Sequence, residues 1–80
     1  MRLDKYLKVS RLIKRRTVAN EACDGGGVCV NGKIAKAGTE IRPDDVIEIR
    51  FGTRTLRVQV LAVNEYAGKD EAAALYREVI

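Results

Sequence analysis

Eighty residues make one small domain, whose core contributes only about 3–5 kcal/mol, so little of the chain is left to wall a buried catalytic cleft. A hydrophobic fraction of 46% with no long apolar run points to a folded globular chain; it excludes disorder and the roughly 18 apolar residues of a membrane span. The formal charge of +4 is unevenly placed: residues 1–16 carry seven cations against Asp4 alone, a net of +6, and residues 17–80 carry eight cations against ten acids, a net of −2.

Charge clustered in this way is the footprint of a polyanionic partner, whereas charge that serves solubility is spread out and of mixed sign. Met1-Arg2-Leu3-Asp4-Lys5 is charged at once, and no apolar stretch follows it that would serve as a secretory signal, so the expected compartment is the cytoplasm.

The first predicted element is a short amphipathic helix over about residues 3–9. Leu3, Tyr6, Leu7 and Ser10 fall at helical spacing on one face, and Arg2, Lys5 and Lys8 fall on another. Arg11-Leu12-Ile13 then turns the chain, with Leu12 and Ile13 anchored in the core. A second helix is predicted from Arg16 or Thr17 to Asp24, with a narrow apolar stripe of Val18, Ala19, Ala22 and Cys23. Thr17 is placed to cap it, although Asn20, three residues on, does not complete a capping box.

Lys14-Arg15-Arg16-Thr17, at the start of this helix, is the stretch that organises the reading. The unpaired N–H groups of a helix N-terminus carry partial positive charge, so three cations there oppose the helix and a purely structural sequence would place Asp, Ser or Glu. An anion bound at the corner removes the conflict, because open N–H groups beside cations form a phosphate site. A solvated basic loop is the alternative that these residues alone leave open.

Gly25-Gly26-Gly27 ends the helix through a left-handed glycine. It is not a phosphate-binding loop of the nucleotide-hydrolase kind, since it follows a helix and no Gly-Lys-Ser/Thr helix start comes after it. Val28-Cys29-Val30, Asn31-Gly32 and Lys33-Ile34-Ala35 read as a hairpin with a type I′ turn, and Lys33 and Lys36 extend the basic face beside it.

A loop over 37–40 and a turn at Arg42-Pro43-Asp44-Asp45 lead to a strand over Val46–Phe51, with Val46 or Ile47, then Ile49 and Phe51, inside. After a turn at Gly52-Thr53-Arg54, the longest strand is expected over Thr55–Val63; Arg50, Arg54 and Arg57 point outward to solvent. The tail predicts a final helix over Glu71–Glu78 capped by Asp70, which either docks on the sheet through Leu75 and Tyr76 or meets another protein.

Catalytic chemistry finds little support. The chain has no His, the side chain best suited to proton transfer near neutral pH. Cys23 and Cys29 match neither a Cys-x-x-Cys redox pair nor a zinc site and read as small hydrophobes. Asp44-Asp45 has no further carboxylates converging on it to hold a metal. No cofactor is expected.

The order of a basic helix, a basic corner, a second helix, glycines and Val28-Cys29-Val30-Asn31-Gly32-Lys33 closely resembles the S-four RNA-binding domain, the alpha-L motif. The run Arg2–Arg16 and the tail Glu71–Tyr76 resemble the small standalone members of that family, the RqcP type and the related ribosome-associated heat-shock protein. The resemblance implies an α+β fold: two short N-terminal helices packed on a small, mostly antiparallel sheet, with a short C-terminal helix. Residues 1–66 would form the RNA-binding domain and 67–80 a helical tail.

The resemblance also implies a non-catalytic, monomeric RNA-binding protein. Its partners would be the large ribosomal subunit, its rRNA and the stalled peptidyl-tRNA, together with an RqcH-type factor that adds an alanine tail to the stalled chain. Arg2, Lys5, Lys8, Arg11, Lys14, Arg15 and Arg16 match the family's RNA-facing front, with Arg16 the first choice; Thr17 adjoins it, and Asn31, Lys33 and Lys36 lie at or beside the hairpin. Two positions depart from the family's pattern. Gly27 replaces a basic residue before the first strand, and Asp44 replaces a glycine before an Asp, at a site that needs a residue tolerant of left-handed backbone.

Three alternatives remain open: a heat-shock-type subunit recycling factor, an RNA-targeting subunit of an rRNA-modifying enzyme, and a protein-only adaptor. An initiating Met and the lack of a catalytic domain make the enzyme-appendage reading less expected.

Overall fold

The computed structural model describes residues 1–79. Helix α1 runs over Leu3–Val9 and α2 over Arg16–Asp24; β1 is Val28–Val30, β2 Lys33–Ile34, β3 Val46–Phe51 and β4 Arg54–Val60; α3 is Lys69–Ala72, followed by a 3₁₀ turn over Ala73–Leu75 and β5 over Tyr76–Glu78. All strand pairs are antiparallel, in the order β2-β1-β3-β4-β5.

Alternation along the strands divides the two faces of the sheet. Val28 pairs with Ile49, Val30 with Ile47, and Ile47 with Val58, so apolar side chains stack across three strands toward the helices. Leu3, Tyr6, Leu7, Ala19 and Cys23 close the core from the helix side. On the other face, Glu48 stands opposite Arg57, with 3.3 Å between Arg57 Nη2 and Glu48 Oε2. Arg50 and Arg57 are exposed on this outer face, as the alternation requires, whereas Arg54, in phase with the inward Leu56 and Val58, is exposed because it starts β4 opposite Phe51 at the end of the ladder.

The turns follow the predicted chemistry. Asn31 and Gly32 both have positive φ, 52° and 85°, which is the type I′ geometry. The end of α2 is a Schellman closure: Gly26 takes φ 86°, its N–H donates to Cys23 O, and Gly27 N–H donates to Ala22 O. Asp44, expected to stand where the resembled family carries a glycine, takes φ 77°, a left-handed conformation that Asp tolerates better than most residues.

Several expectations are corrected. Thr17 does not cap α2: the N-cap position is Arg15, no side chain caps the helix, and Thr17 lies inside its first turn. Val18 is 47% exposed, because α2 turns only its Ala19–Cys23 side to the core. Phe51, expected inside, is 46% exposed: it is the last residue of β3, pairing with Arg54 beyond the helices' cover. The long strand stops at Val60 rather than Val63. Cys29 is only half-buried, whereas Cys23 is fully buried.

The tail is the largest difference. Its helix ends by Leu75, and Tyr76–Glu78 pairs with β4 instead of continuing as a helix to Glu78. It docks on the domain: Leu75 O accepts hydrogen bonds from Leu61 N, Ala62 N and, at 2.7 Å, from the buried Tyr6 hydroxyl on α1.

Candidate nucleic-acid interface

The two helix starts on the basic front are used differently. At α1, Leu3 N donates to Thr39 O, Asp4 N to Ala37 O, and Lys5 N to its neighbour's carboxylate, Asp4 Oδ1. The Met1 ammonium meets Glu40, and Met1 O accepts Ile41 N. These contacts clamp the N-terminus onto the 37–41 loop and consume the first donors of α1. Among the described residues, the amides of Arg16, Thr17 and Val18 at the start of α2 have no such partner, and the first turn holds no acid. Three donors therefore remain open beside Arg15 and Arg16.

Asp4 organises the corner. Its carboxylate is almost fully buried, yet it accepts from Arg2 Nε at 3.2 Å and Nη2 at 3.3 Å, from Arg16 Nε at 3.4 Å, and from Asn20 Nδ2 at 3.3 Å. One acid thus holds two guanidiniums from opposite ends of the basic stretch. Burial pushes its pKa up, but the hydrogen bonds from Asn20, Arg16 and the Lys5 amide, with the charge of Arg16, outweigh burial and hold the carboxyl below its ordinary value. It stays charged at neutral pH.

The arginines keep a free side. Arg2 and Arg16 remain about half exposed, at 52% and 48%, while Asp4 is at 3%. Arg16 engages Asp4 through Nε alone, so its Nη1–Nη2 edge is available for a two-bond grip on a phosphate. Arg2, Asp4, Arg16, Thr17, Asn20 and Glu21 line one shallow depression at the open end of α2. Arg2 and Arg16 are matched in this depression by Asp4 and Glu21, so the pull on an anion comes from the open α2 N–H groups and the neighbouring Arg15, and the free edge of the preset Arg16 guanidinium gives it direction.

The other expected residues divide into four groups. Lys5 is partly neutralised by Glu65, 3.6 Å away. Lys8, Arg11, Lys14 and Arg15 form no ion pair among the described residues and are exposed. Asn31 is exposed but occupied within the fold: its Oδ1 accepts Val46 N at 2.9 Å and its Nδ2 donates to Asp45 Oδ1 at 3.0 Å. Lys33 and Lys36 are exposed; Lys36 precedes Ala37, whose carbonyl accepts Asp4 N and whose N–H donates to Asp24 Oδ1.

Sequence reasoning missed Asp4 and Asn20 as site residues. A lone acid among seven cations was the available signal, but its Arg16 and Asn20 partners lie 12 and 16 residues away. The thiol of Cys23 carries no chemistry here, since burial and the charges of Asp4 and Asp24 push its pKa up to about 11. Among the described residues no group of His, Cys, Asp and Glu is placed to hold a metal, and no helix is long and apolar enough to cross a membrane.

A short α+β domain with a basic two-helix corner defines the class, and the comparisons agree with it. The S4 domain family model matches residues 1–47, and the chain belongs to the S4 domain family. It is 54% identical over 76 residues to a protein of Halalkalibacterium halodurans named RQC P-site tRNA stabilizing factor, covering 95% of this chain and 86% of that one. The protein of the same name from Bacillus subtilis is 50% identical over 76 residues, covering 95% and 88%. Among solved structures, the trimeric structure of Vibrio cholerae heat shock protein 15 superposes with a TM-score of 0.90 at 32% identity, over 99% of this chain and 81% of that one.

Proposed function

We propose that this chain is a monomeric, non-catalytic RNA-binding factor of ribosome quality control, acting in the cytoplasm. It binds the large ribosomal subunit that still holds a stalled peptidyl-tRNA, contacts rRNA and tRNA with its basic front, and supports alanine tailing by an RqcH-type factor. The observation that carries this reading is the pair of half-exposed guanidiniums held on Asp4 beside the open N–H groups of α2. The name of a 54%-identical relative, RQC P-site tRNA stabilizing factor, supports tRNA as one of the RNAs bound.

The mechanism is recognition by shape and charge. Folded RNA offers phosphates and 2′-hydroxyls, and preset arginines hold a phosphate at lower entropic cost than free ones. Arg2, Arg16, Thr17 and the α2 amides form the anchor; Lys8, Arg11, Lys14 and Arg15 supply the surrounding field; Lys33 and Lys36 extend it along the hairpin.

Sucrose-gradient sedimentation of a cell lysate tests the reading. The protein is expected with large subunits and tRNA, and ribonuclease treatment is expected to release it. Arg16→Ala is expected to lose co-sedimentation by roughly tenfold or more, the worth of a charge-assisted two-bond contact, while the fold, read by circular dichroism, stays intact with only a small loss of melting temperature from the Asp4 contact. An Arg16→Ala protein that sediments like wild type removes the anchor; a ribonuclease-resistant protein partner favours an adaptor instead.

A further inference from the structure

A second concavity is built around the end of α1. Lys8, Val9, Arg11, Lys14 and Tyr66 line a groove of about 570 Å³, within the range of about 300–1,000 Å³ typical of small-ligand sites. Glu65 also lines it, but its charge is matched by Lys5 at 3.6 Å. Lys8, Arg11 and Lys14 have no ion-pair partner among the described residues, so the groove holds three uncompensated cations.

Two features are not explained by folding. Arg11 sits at φ 63°, where its N–H closes α1 onto Lys8 O; glycine or asparagine is the usual residue there, and this chain places a cation. Tyr66 is 87% exposed and adds nothing to the core. Its loop is nevertheless held in place: Asn64 Oδ1 accepts Tyr66 N at 3.0 Å, Asn64 O accepts Ala67 N, and Glu65 reaches Lys5. Tyr66 also lies outside residues 1–47, the part matched by the family model.

Resting on the RNA-binding reading, we propose that this groove is a subsite for one unpaired nucleotide of a folded RNA. The phosphate lies against Lys8, Arg11 and Lys14, and the base stacks on the ring of Tyr66. Cations alone suit any polyanion; a tethered, open aromatic beside them suits a partner with flat faces as well as charge, which is the way single-stranded nucleotides are held.

Anisotropy titrations of the full chain at low salt test it, using a labelled RNA stem-loop with an unpaired loop and a blunt RNA duplex with the same number of phosphates. The stem-loop is expected to bind more tightly. Tyr66→Ala is expected to weaken the stem-loop roughly five- to hundredfold and abolish its advantage over the duplex, whereas Tyr66→Phe keeps it. Arg11→Gly, which the backbone at φ 63° favours, is expected to weaken both RNAs without lowering the melting temperature. A Tyr66→Ala protein that still prefers the stem-loop overturns the subsite and leaves the RNA-binding reading standing. A wild-type protein that binds neither RNA overturns both. Equally tight binding of an acidic peptide or anionic vesicles, insensitive to Tyr66, assigns the groove to charge alone and overturns the stacking proposal.

Discussion

Asp4 does two jobs with one carboxylate: it fixes Arg2 and Arg16, and through Asn20 it joins α1 to α2. Its pKa is lowered in the folded state, so the stability it contributes is present above the unfolded value of about 3.9 and is lost as pH falls through the lower folded value. Asp4→Asn is therefore expected to flatten the acid limb of a stability–pH profile below about pH 4, measured by thermal unfolding between pH 2 and pH 7. At neutral pH the same variant separates two effects on RNA binding. If only net charge mattered, removing an acid would tighten binding. If Asp4 orders the arginines, binding weakens, by about 1 kcal/mol or roughly fivefold. The weakening is the expected outcome in a large-subunit pelleting assay, and tighter binding would sink the ordering role.

At the scale of elements, α1 is the meeting point of the fold. Its start is clamped to the 37–41 loop, its polar side reaches α2 through Asp4, and Tyr6 reaches across the domain to the tail. The Tyr6 hydroxyl is the only donor from α1 to Leu75 O among the described residues, but the carbonyl keeps Leu61 N and Ala62 N without it. Tyr6→Phe is thus expected to cost about 1 kcal/mol, a lost hydrogen bond without an orphaned acceptor, read as a lower denaturation midpoint with RNA binding unchanged. The two N-terminal helices, the hairpin and the third strand are legible in the sequence because their signals are local: helical spacing, a Gly-Gly-Gly stop, Asn-Gly, strict alternation. The tail is not, because a short Ala-rich segment has too little helix stability of its own and the free edge of β4 offers Tyr76–Glu78 a ladder instead.

For the molecule as a whole, charge partition is the governing feature. Three of the seven front cations are held by acids, Arg2 and Arg16 by Asp4 and Lys5 by Glu65, and the other four have no ion pair among the described residues. Under the proposed function, those four with the open edge of Arg16 would make about five phosphate contacts, and the expected log–log salt slope is roughly −3.5 to −4.5. The slope is measured from affinity for large subunits across a salt series; a value near −1 would limit the interface to one or two charges. The ion pairs also qualify the simple picture of a wholly free basic edge. Arg16, the residue singled out from sequence, is partly tied, and the tie gives it a defined direction rather than removing it from use.

By itself the sequence determined that the cations gather at the front, that two short helices precede a hairpin and that no histidine chemistry is available. Charge count, periodicity and turn residues are local properties that need no fold to be read. Tertiary structure alone decided which cations are free and which are aimed. Asp4 finds Arg16 and Asn20 only when α1 and α2 cross, and Tyr66 comes beside Lys8 and Arg11 only when the chain after β4 returns to α1. Direction and pairing of side chains depend on contacts between residues far apart in the chain, and no spacing rule carries that information.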